Sequence, residues 1–195
     1  KENLVREGIE RERIFVTGNP IFEVLTKFGS KIDTSDVLSH LNVLPKEYFL
    51  ATIHRAENVD TPETLRSIFA AFDQVSREFN RPVLVSVHPR TAEKLTSFEI
   101  KPDPVRIRLL DAMPFFGFVK LEKNAFMVLS DSGTVQEECS IFKVPNVTIR
   151  DVTERPETIE CGSNIIGGTT VDSILRTVRI GAADPPSWNS PNEYL

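Results

Sequence analysis

Short β-branched runs alternate along this chain with longer stretches whose apolar residues recur every third or fourth position. Runs of the first kind, at residues 14–17, 49–53, 83–87, 105–110, 126–129, 147–149 and 165–166, read as buried strands. The clearest helix follows Asp60. Thr61 can cap it, Pro62 suits its first position, and Leu65, Ile68, Phe69, Phe72, Val75 and Phe79 share one face that must pack on a sheet. Further helices are predicted at 91–98, 116–125, 134–142 and 171–180, so that nearly every strand is followed by one. This β–α alternation predicts an α/β fold: a Rossmann-like, doubly wound, mostly parallel sheet. Residues 29–46 are less periodic and read as a connection with one short helix. The picture is one domain over residues 1–183, followed at 184–195 by a surface tail rich in Pro, Ser and Asn.

At 195 residues and 40% hydrophobic content, such a domain can bury a sizeable core. The net charge of −5 opposes an extended nucleic-acid surface, which needs clustered Lys and Arg, so any phosphate must be held locally. No apolar run approaches the roughly 20 residues of a membrane span, and Lys1 to Arg6 lacks a signal-peptide core. The expectation is a cytoplasmic protein with no membrane partner. Cys139 and Cys161 have neither the number nor the spacing of a disulfide framework or a zinc site and read as reduced, structural thiols. The abrupt start, without an initiator Met, reads as a piece of a longer chain.

In doubly wound sheets, ligands bind outside the carboxyl ends of the strands. Here the residues that follow the strands are polar: Gly18-Asn19-Pro20, His54-Arg55-Ala56-Glu57-Asn58, His88-Pro89-Arg90, Asp131-Ser132-Gly133 and Arg150-Asp151. The segment from Leu129 to Glu138 reads as strand, tight turn and helix start, and the free N–H groups and positive dipole end of such a turn suit phosphate. Ser132 adds a hydroxyl donor and Gly133 permits close approach, although Asp131 or Ser132 as a mere helix cap explains the turn equally simply. Glu138, a turn further on, can accept from ribose hydroxyls, whereas Glu137 fits an exposed helix carboxylate better. Arg155 can pair with a diphosphate or orient its loop. His54 with Arg55, and His88 with Arg90, can bind an anion or move protons, or else serve as backbone-bonded sheet-edge residues. His40, in a connection, carries no case. A serine-hydrolase triad, a P-loop and a Gly-x-Gly-x-x-Gly fingerprint are all missing from the sequence.

Taken in order, Val16-Thr17-Gly18-Asn19-Pro20, Thr52-Ile53-His54-Arg55-Ala56-Glu57-Asn58, His88-Pro89-Arg90-Thr91, the stretch from Ser130 to Glu138, and Thr153-Glu154-Arg155-Pro156-Glu157 with Gly162 and Asn164 resemble the non-hydrolysing UDP-N-acetylglucosamine 2-epimerase family, over essentially the whole chain. The resemblance implies the UDP-binding C-terminal half of a glycosyltransferase-B-like, two-domain, homodimeric enzyme of polysaccharide biosynthesis that uses no cofactor. Such enzymes are understood to eliminate UDP, leaving a bound glycal, and to add UDP back with the proton on the other face. By motif position, Ser132, Gly133 and Thr134 would hold the diphosphate, Glu138 the ribose, and Arg155 would support the nucleotide. His54, with Arg55 beside it, would face the sugar or diphosphate as a supporting catalytic group. His88 and Arg90 would lie near substrate or near a second, regulatory sugar-nucleotide site. The acids that move the proton belong to the other half.

Three features depart from the family pattern. Thr134 replaces a second glycine in the turn, Pro114-Phe115-Phe116-Gly117-Phe118 stands where Gly-Tyr-x-Asp-Phe is frequent, and the sequence stops at Leu195, before the family's last helix. The competing readings are a 2-epimerase of another UDP-N-acetyl sugar, a UDP-sugar glycosyltransferase, and a non-catalytic UDP-sugar sensor.

Overall fold

The computed structural model describes residues 1–183 and 186–195; Asp184 and Pro185 of the expected tail lie outside the described residues. Six parallel strands form one sheet: β1 (Phe49–Thr52), β2 (Val83–Ser86), β3 (Ile107–Leu110), β4 (Met127–Ser130), β5 (Asn146–Thr148) and β6 (Asn164–Ile166). Their order is β3-β2-β1-β4-β5-β6, the Rossmann arrangement, with the topological switch point between β1 and β4. In register, Phe49 pairs with Met127 and Thr52 with Ser130, so the ends of these two strands open side by side.

The helices are α1 (Glu2–Arg6), α2 (Pro20–Lys27), α3 (Gly29–Asp33), α4 (Val37–His40), α5 (Ala56–Val59), α6 (Pro62–Phe79), α7 (Pro89–Ser97), α8 (Phe115–Asn124), α9 (Gly133–Phe142), α10 (Pro156–Glu160) and α11 (Val171–Ala183). Side-chain alternation on the central strands feeds two cores. Phe49, Ala51, Val83, Val85, Met127 and Leu129 pack with Leu65, Ile68, Phe72 and Val75 of α6 and with Ile174 and Val178 of α11. Tyr48, Leu50, Leu84 and Val128 point the other way, against Leu121 and Ala125 of the α8 end and Val135 and Cys139 of α9. Both faces are thus covered, which is why the strands read as continuous apolar runs. Pro62 opens α6 as expected, and Asn80, in the left-handed conformation at φ 50°, ends it. The Thr61 side chain makes no capping bond there.

Two sequence expectations fail. Residues 14–17 are not a strand: Ile14 is buried, but Phe15 and Val16 are 80% and 62% exposed and no strand among the described residues pairs with them. A β-branched run becomes a strand only when a neighbour supplies a ladder, and in this chain β3 and β6 are the sheet's edges. The connection at 29–46 holds two short helices, α3 and α4, rather than one; both pack on α8, with Ile32 joining Leu25 and Val119 in a small third core. The preceding helix α2 begins as α6 does, with Pro20 at its first turn and the Asn19 side chain accepting from Ile21 N at 3.0 Å. The other predicted strands and helices lie within about three residues of expectation, whereas α2, α5 and α10 were not predicted. No described helix is long and apolar enough to cross a membrane. In the tail, Trp188 Nε1 and Ser190 Oγ both donate to Ser140 O, and Tyr194 is buried.

Candidate functional site at the switch point

The ends of β1 and β4 place two sequence motifs in contact. Asp131, fully buried one residue beyond β4, accepts from the backbone N–H groups of His54 and Arg55, at 3.0 and 2.9 Å, and from Asn58 Nδ2 at 3.1 Å. Its other oxygen meets His54 Nδ1 at 2.9 Å. Asp131 is therefore not the helix cap that the sequence allowed but the buried anchor of the loop after β1. Hydrogen bonds to its charged form outweigh burial and keep its pKa below the ordinary value, while the Asp131 bond raises that of His54 against the opposing effect of burial. With Nδ1 engaged, Nε2 is the ring nitrogen left to the crevice.

Ser132 is the N-cap residue of α9, yet no side chain among the described residues caps this helix. The first N–H groups of a ten-residue helix, at Gly133, Thr134 and Val135, are left without intrahelical partners at the switch point, with the positive end of the helix dipole behind them. Two guanidinium groups flank the turn. Arg55 Nε donates to Asp131 O at 3.3 Å, and the Arg155 guanidinium lies where a Cβ on Gly133 would meet it at 3.5 Å. Gly133 thus leaves ordinary contact distance for a side chain, but an added methyl would fill part of the gap between turn and guanidinium.

Glu137 is not the exposed carboxylate expected. Glu137 is buried and forms an ion pair with Arg155, holding that guanidinium beside the turn; this corrects its reading as an exposed carboxylate. Glu138 is 4% exposed, and burial pushes its pKa up to about 7. Behind the turn, Gln136 Oε1 accepts from Thr153 Oγ1 at 2.6 Å and from Asn164 Nδ2 at 3.0 Å, tying the start of α9 to the Arg155 loop and to β6.

His88 and Arg90 lie after β2, beside the His54 loop, but in this structure they have local partners. His88 is the N-cap of α7, its Nδ1 accepting from Arg90 N at 3.3 Å, and Arg90 pairs with Asp60. Two contributors were not singled out from sequence. One is Asp131 as the partner of His54. The other is Arg150, which is buried and bridges Glu57 at 3.3 Å and Glu154 at 2.8 Å, joining the loops after β1 and β5. Strand adjacency, which the linear sequence does not state, was the missing signal for both.

A parallel sheet in Rossmann order, with an uncapped helix start and flanking cations at its switch point, defines the class: a nucleotide-type α/β domain of the glycosyltransferase-B kind. A family model described as UDP-N-acetylglucosamine 2-epimerase matches residues 1–194, and the chain belongs to that family. It is 38% identical, over 98% of its length, to a UDP-N-acetylglucosamine 2-epimerase of Methanocaldococcus jannaschii, of which it covers 54%. A crystal structure of the Methanocaldococcus jannaschii enzyme in complex with UDP-GlcNAc and UDP superposes with a TM-score of 0.90 over 99% of this chain and 55% of that one. A UDP-2,3-diacetamido-2,3-dideoxy-D-glucuronate 2-epimerase of Pseudomonas aeruginosa is 32% identical over 91% of this chain and 49% of its own. An Escherichia coli heptosyltransferase shares the fold alone, at 14% identity and a TM-score of 0.50, over 71% of this chain and 44% of its own. The chain spans about half the length of the curated relatives it matches.

Proposed function

We propose that this chain is the UDP-holding half of an enzyme that interconverts UDP-N-acetylglucosamine and UDP-N-acetylmannosamine by eliminating UDP and adding it back. The observation that carries the reading is the uncapped start of α9 at the switch point, set between the Arg55 and Arg155 guanidinium groups. Ser132, Gly133 and Thr134 present donors to the diphosphate, Arg55 and Arg155 supply positive charge, and Glu138 takes the ribose hydroxyls. The departing diphosphate gathers negative charge as its bond to the sugar breaks, and fixed donors and cations stabilise that charge without reorganising. His54, held on Asp131 with its cationic form favoured, stands on the same edge as a further donor to that leaving group. His88 and Arg90, next along the edge, serve the sugar end of the cleft or a second sugar nucleotide. The proton at sugar carbon 2 is moved by acids of the other half of the protein, which closes the cleft; a second copy of the whole protein and a cytoplasmic setting complete the reading.

The substrate is tested by incubating the intact protein with UDP-N-acetylglucosamine and following the manno product by proton NMR. Appearance of the epimer supports the reading, and a failure to convert it, alongside conversion of a diacetamido uronate, would move the enzyme to its second reading. That alternative is favoured by the 32% identity to the Pseudomonas aeruginosa enzyme. Residues 1–195 alone are expected to give no measurable turnover, because one wall of the cleft carries no carbon-2 acid; product formation by the isolated chain would contradict this.

A further inference from the structure

Glu122 lies in the last turn of α8 and is completely buried. Its Oε1 accepts from Cys139 Sγ at 3.4 Å, but among the described residues no donor reaches its Oε2. The carboxyl of Glu138, on α9, which packs against α8, is the charged group that acts on it most strongly. An ionised carboxylate buried with an empty oxygen, next to a second carboxylate, is unfavourable twice over: it lacks a donor, and it repels its neighbour. Both difficulties vanish if Glu122 is carried as the neutral acid. The Oε2–H then donates to a Glu138 oxygen, while Oε1 keeps its bond from the thiol.

Resting on the assignment of Glu138 to the ribose, we propose that Glu122 is a positioning residue for the nucleotide site, a neutral acid that donates a hydrogen bond to Glu138, fixes its rotamer and helps hold it as the carboxylate the ribose requires. The surrounding charges agree. Burial and then Glu138 drive the Glu122 pKa well above the ordinary carboxylate value, which favours the neutral acid. For Glu138, burial and Glu137 favour the neutral form, whereas the bond from Glu122 favours the carboxylate. The other titratable groups around the pair do not supply that bond. Cys139 is itself held neutral by burial and engages the far oxygen of Glu122. Lys46 is spent on Ala125 O at 2.9 Å, and Tyr48 donates to Leu121 O at 2.6 Å. In this arrangement one helix-borne acid, out of reach of any ligand, sets the pH range over which a second acid can accept from one.

The sign follows. Glu138 accepts from two hydroxyls best when ionised, so its contribution to affinity rises as pH increases through its pKa near 7 and levels off above it, while His54, a donor to the diphosphate when protonated, adds an opposing dependence that wild type and variants share. Without the Glu122 donor that pKa moves up, and the rise in affinity moves with it. The test is the affinity of the intact protein for UDP-N-acetylglucosamine, whose diphosphate does not titrate in this range, measured by calorimetry from pH 5.5 to about 9.5. Glu122→Met, of similar volume but without a donor, is expected to shift the profile upward by about one pH unit, with affinity about fivefold weaker at pH 7 and converging on the wild type at the alkaline end. Glu122→Gln, which keeps an N–H donor, is expected to stay within about twofold throughout. Should the Met variant fold poorly, Glu122→Asp, which withdraws the acid by one methylene, must give the same upward shift. Profiles of Met and Asp variants that overlay the wild type, or that are weakened equally at every pH, overturn the proposal. Glu138→Ala, run alongside, separates the two readings: if it leaves affinity unchanged, the ribose assignment itself has failed; if it weakens binding while the Glu122 profiles stay still, only the role of Glu122 has.

Discussion

Asp131→Ala is expected to cost about 2–4 kcal/mol of folding stability and to abolish measurable turnover of the intact enzyme. The residue is fully buried, and removing it strands the N–H groups of His54 and Arg55 beneath the loop after β1. Asn58 Nδ2 keeps its bond to Ile149 O at 2.8 Å, which limits the loss. Relief from burying a charge offsets part of the remainder. Asp131→Asn separates the charge from the shape, because an amide oxygen can still accept from the loop but no longer favours imidazolium. In that variant the His54 pKa, followed by NMR, should fall from its raised position to its ordinary value of 6.5 or below. The pH window of the native pair follows from the same shifts. Stability from His54 is fully present below 6.5 and is lost as pH rises through its raised pKa; stability from Asp131 is present above 3.8 and is lost as pH falls through its lowered one. Denaturant titrations of wild type and Asp131→Ala at pH 6 check the magnitude, and a difference under about 0.5 kcal/mol would return Asp131 to the role of an ordinary turn residue.

His54→Asn is the second large effect, and it should fall on rate rather than stability. The ring is partly exposed, and the loop is anchored through its backbone N–H, which Asn retains, so the melting temperature should move by no more than a few degrees. If protonated His54 donates to the leaving diphosphate, kcat of the intact enzyme should drop by about a hundredfold or more. The wild-type rate should also decline on the alkaline side, with an apparent pKa above 6.5, and Asp131→Asn should move that limb downward. Unchanged rate constants in His54→Asn would leave the histidine a sheet-edge residue.

The sheet was legible because its central strands are covered on both faces, so apolar runs and amphipathic helices announce themselves. The segment at 14–17 has the same residue chemistry as the true strands and differs only in lacking a neighbour, which a linear pattern does not contain. Helix α2 carries the Asn-Pro start signal, but of its eight residues only Leu25 is buried, so its apolar periodicity is weak. At the site, the residues after β1 and β4 were identifiable because polar residues directly following apolar strands fall on the ligand edge. What they do to one another was not. That Asp131 reaches back to His54 depends on β1 lying beside β4, strands separated in sequence by β2 and β3. The burial of Glu137 has a similar origin: it depends on Arg155, which packs against α9 from elsewhere in the chain.

The central claim is that the start of α9 and its Glu138 hold UDP. Isothermal titration of the intact protein with UDP at pH 8, where most of Glu138 is ionised, tests it most directly. Losing the hydrogen bonds to a charged acceptor, about 1.5–3 kcal/mol, should make Glu138→Ala bind UDP roughly tenfold to a hundredfold more weakly, with thermal melts confirming that the variant is folded. Glu137→Ala is not a neutral control, because it frees Arg155 from its partner; the exposed Glu160→Ala, on α10, serves instead and should bind like the wild type. Folded Glu138→Ala that binds UDP as tightly as Glu160→Ala would contradict the account.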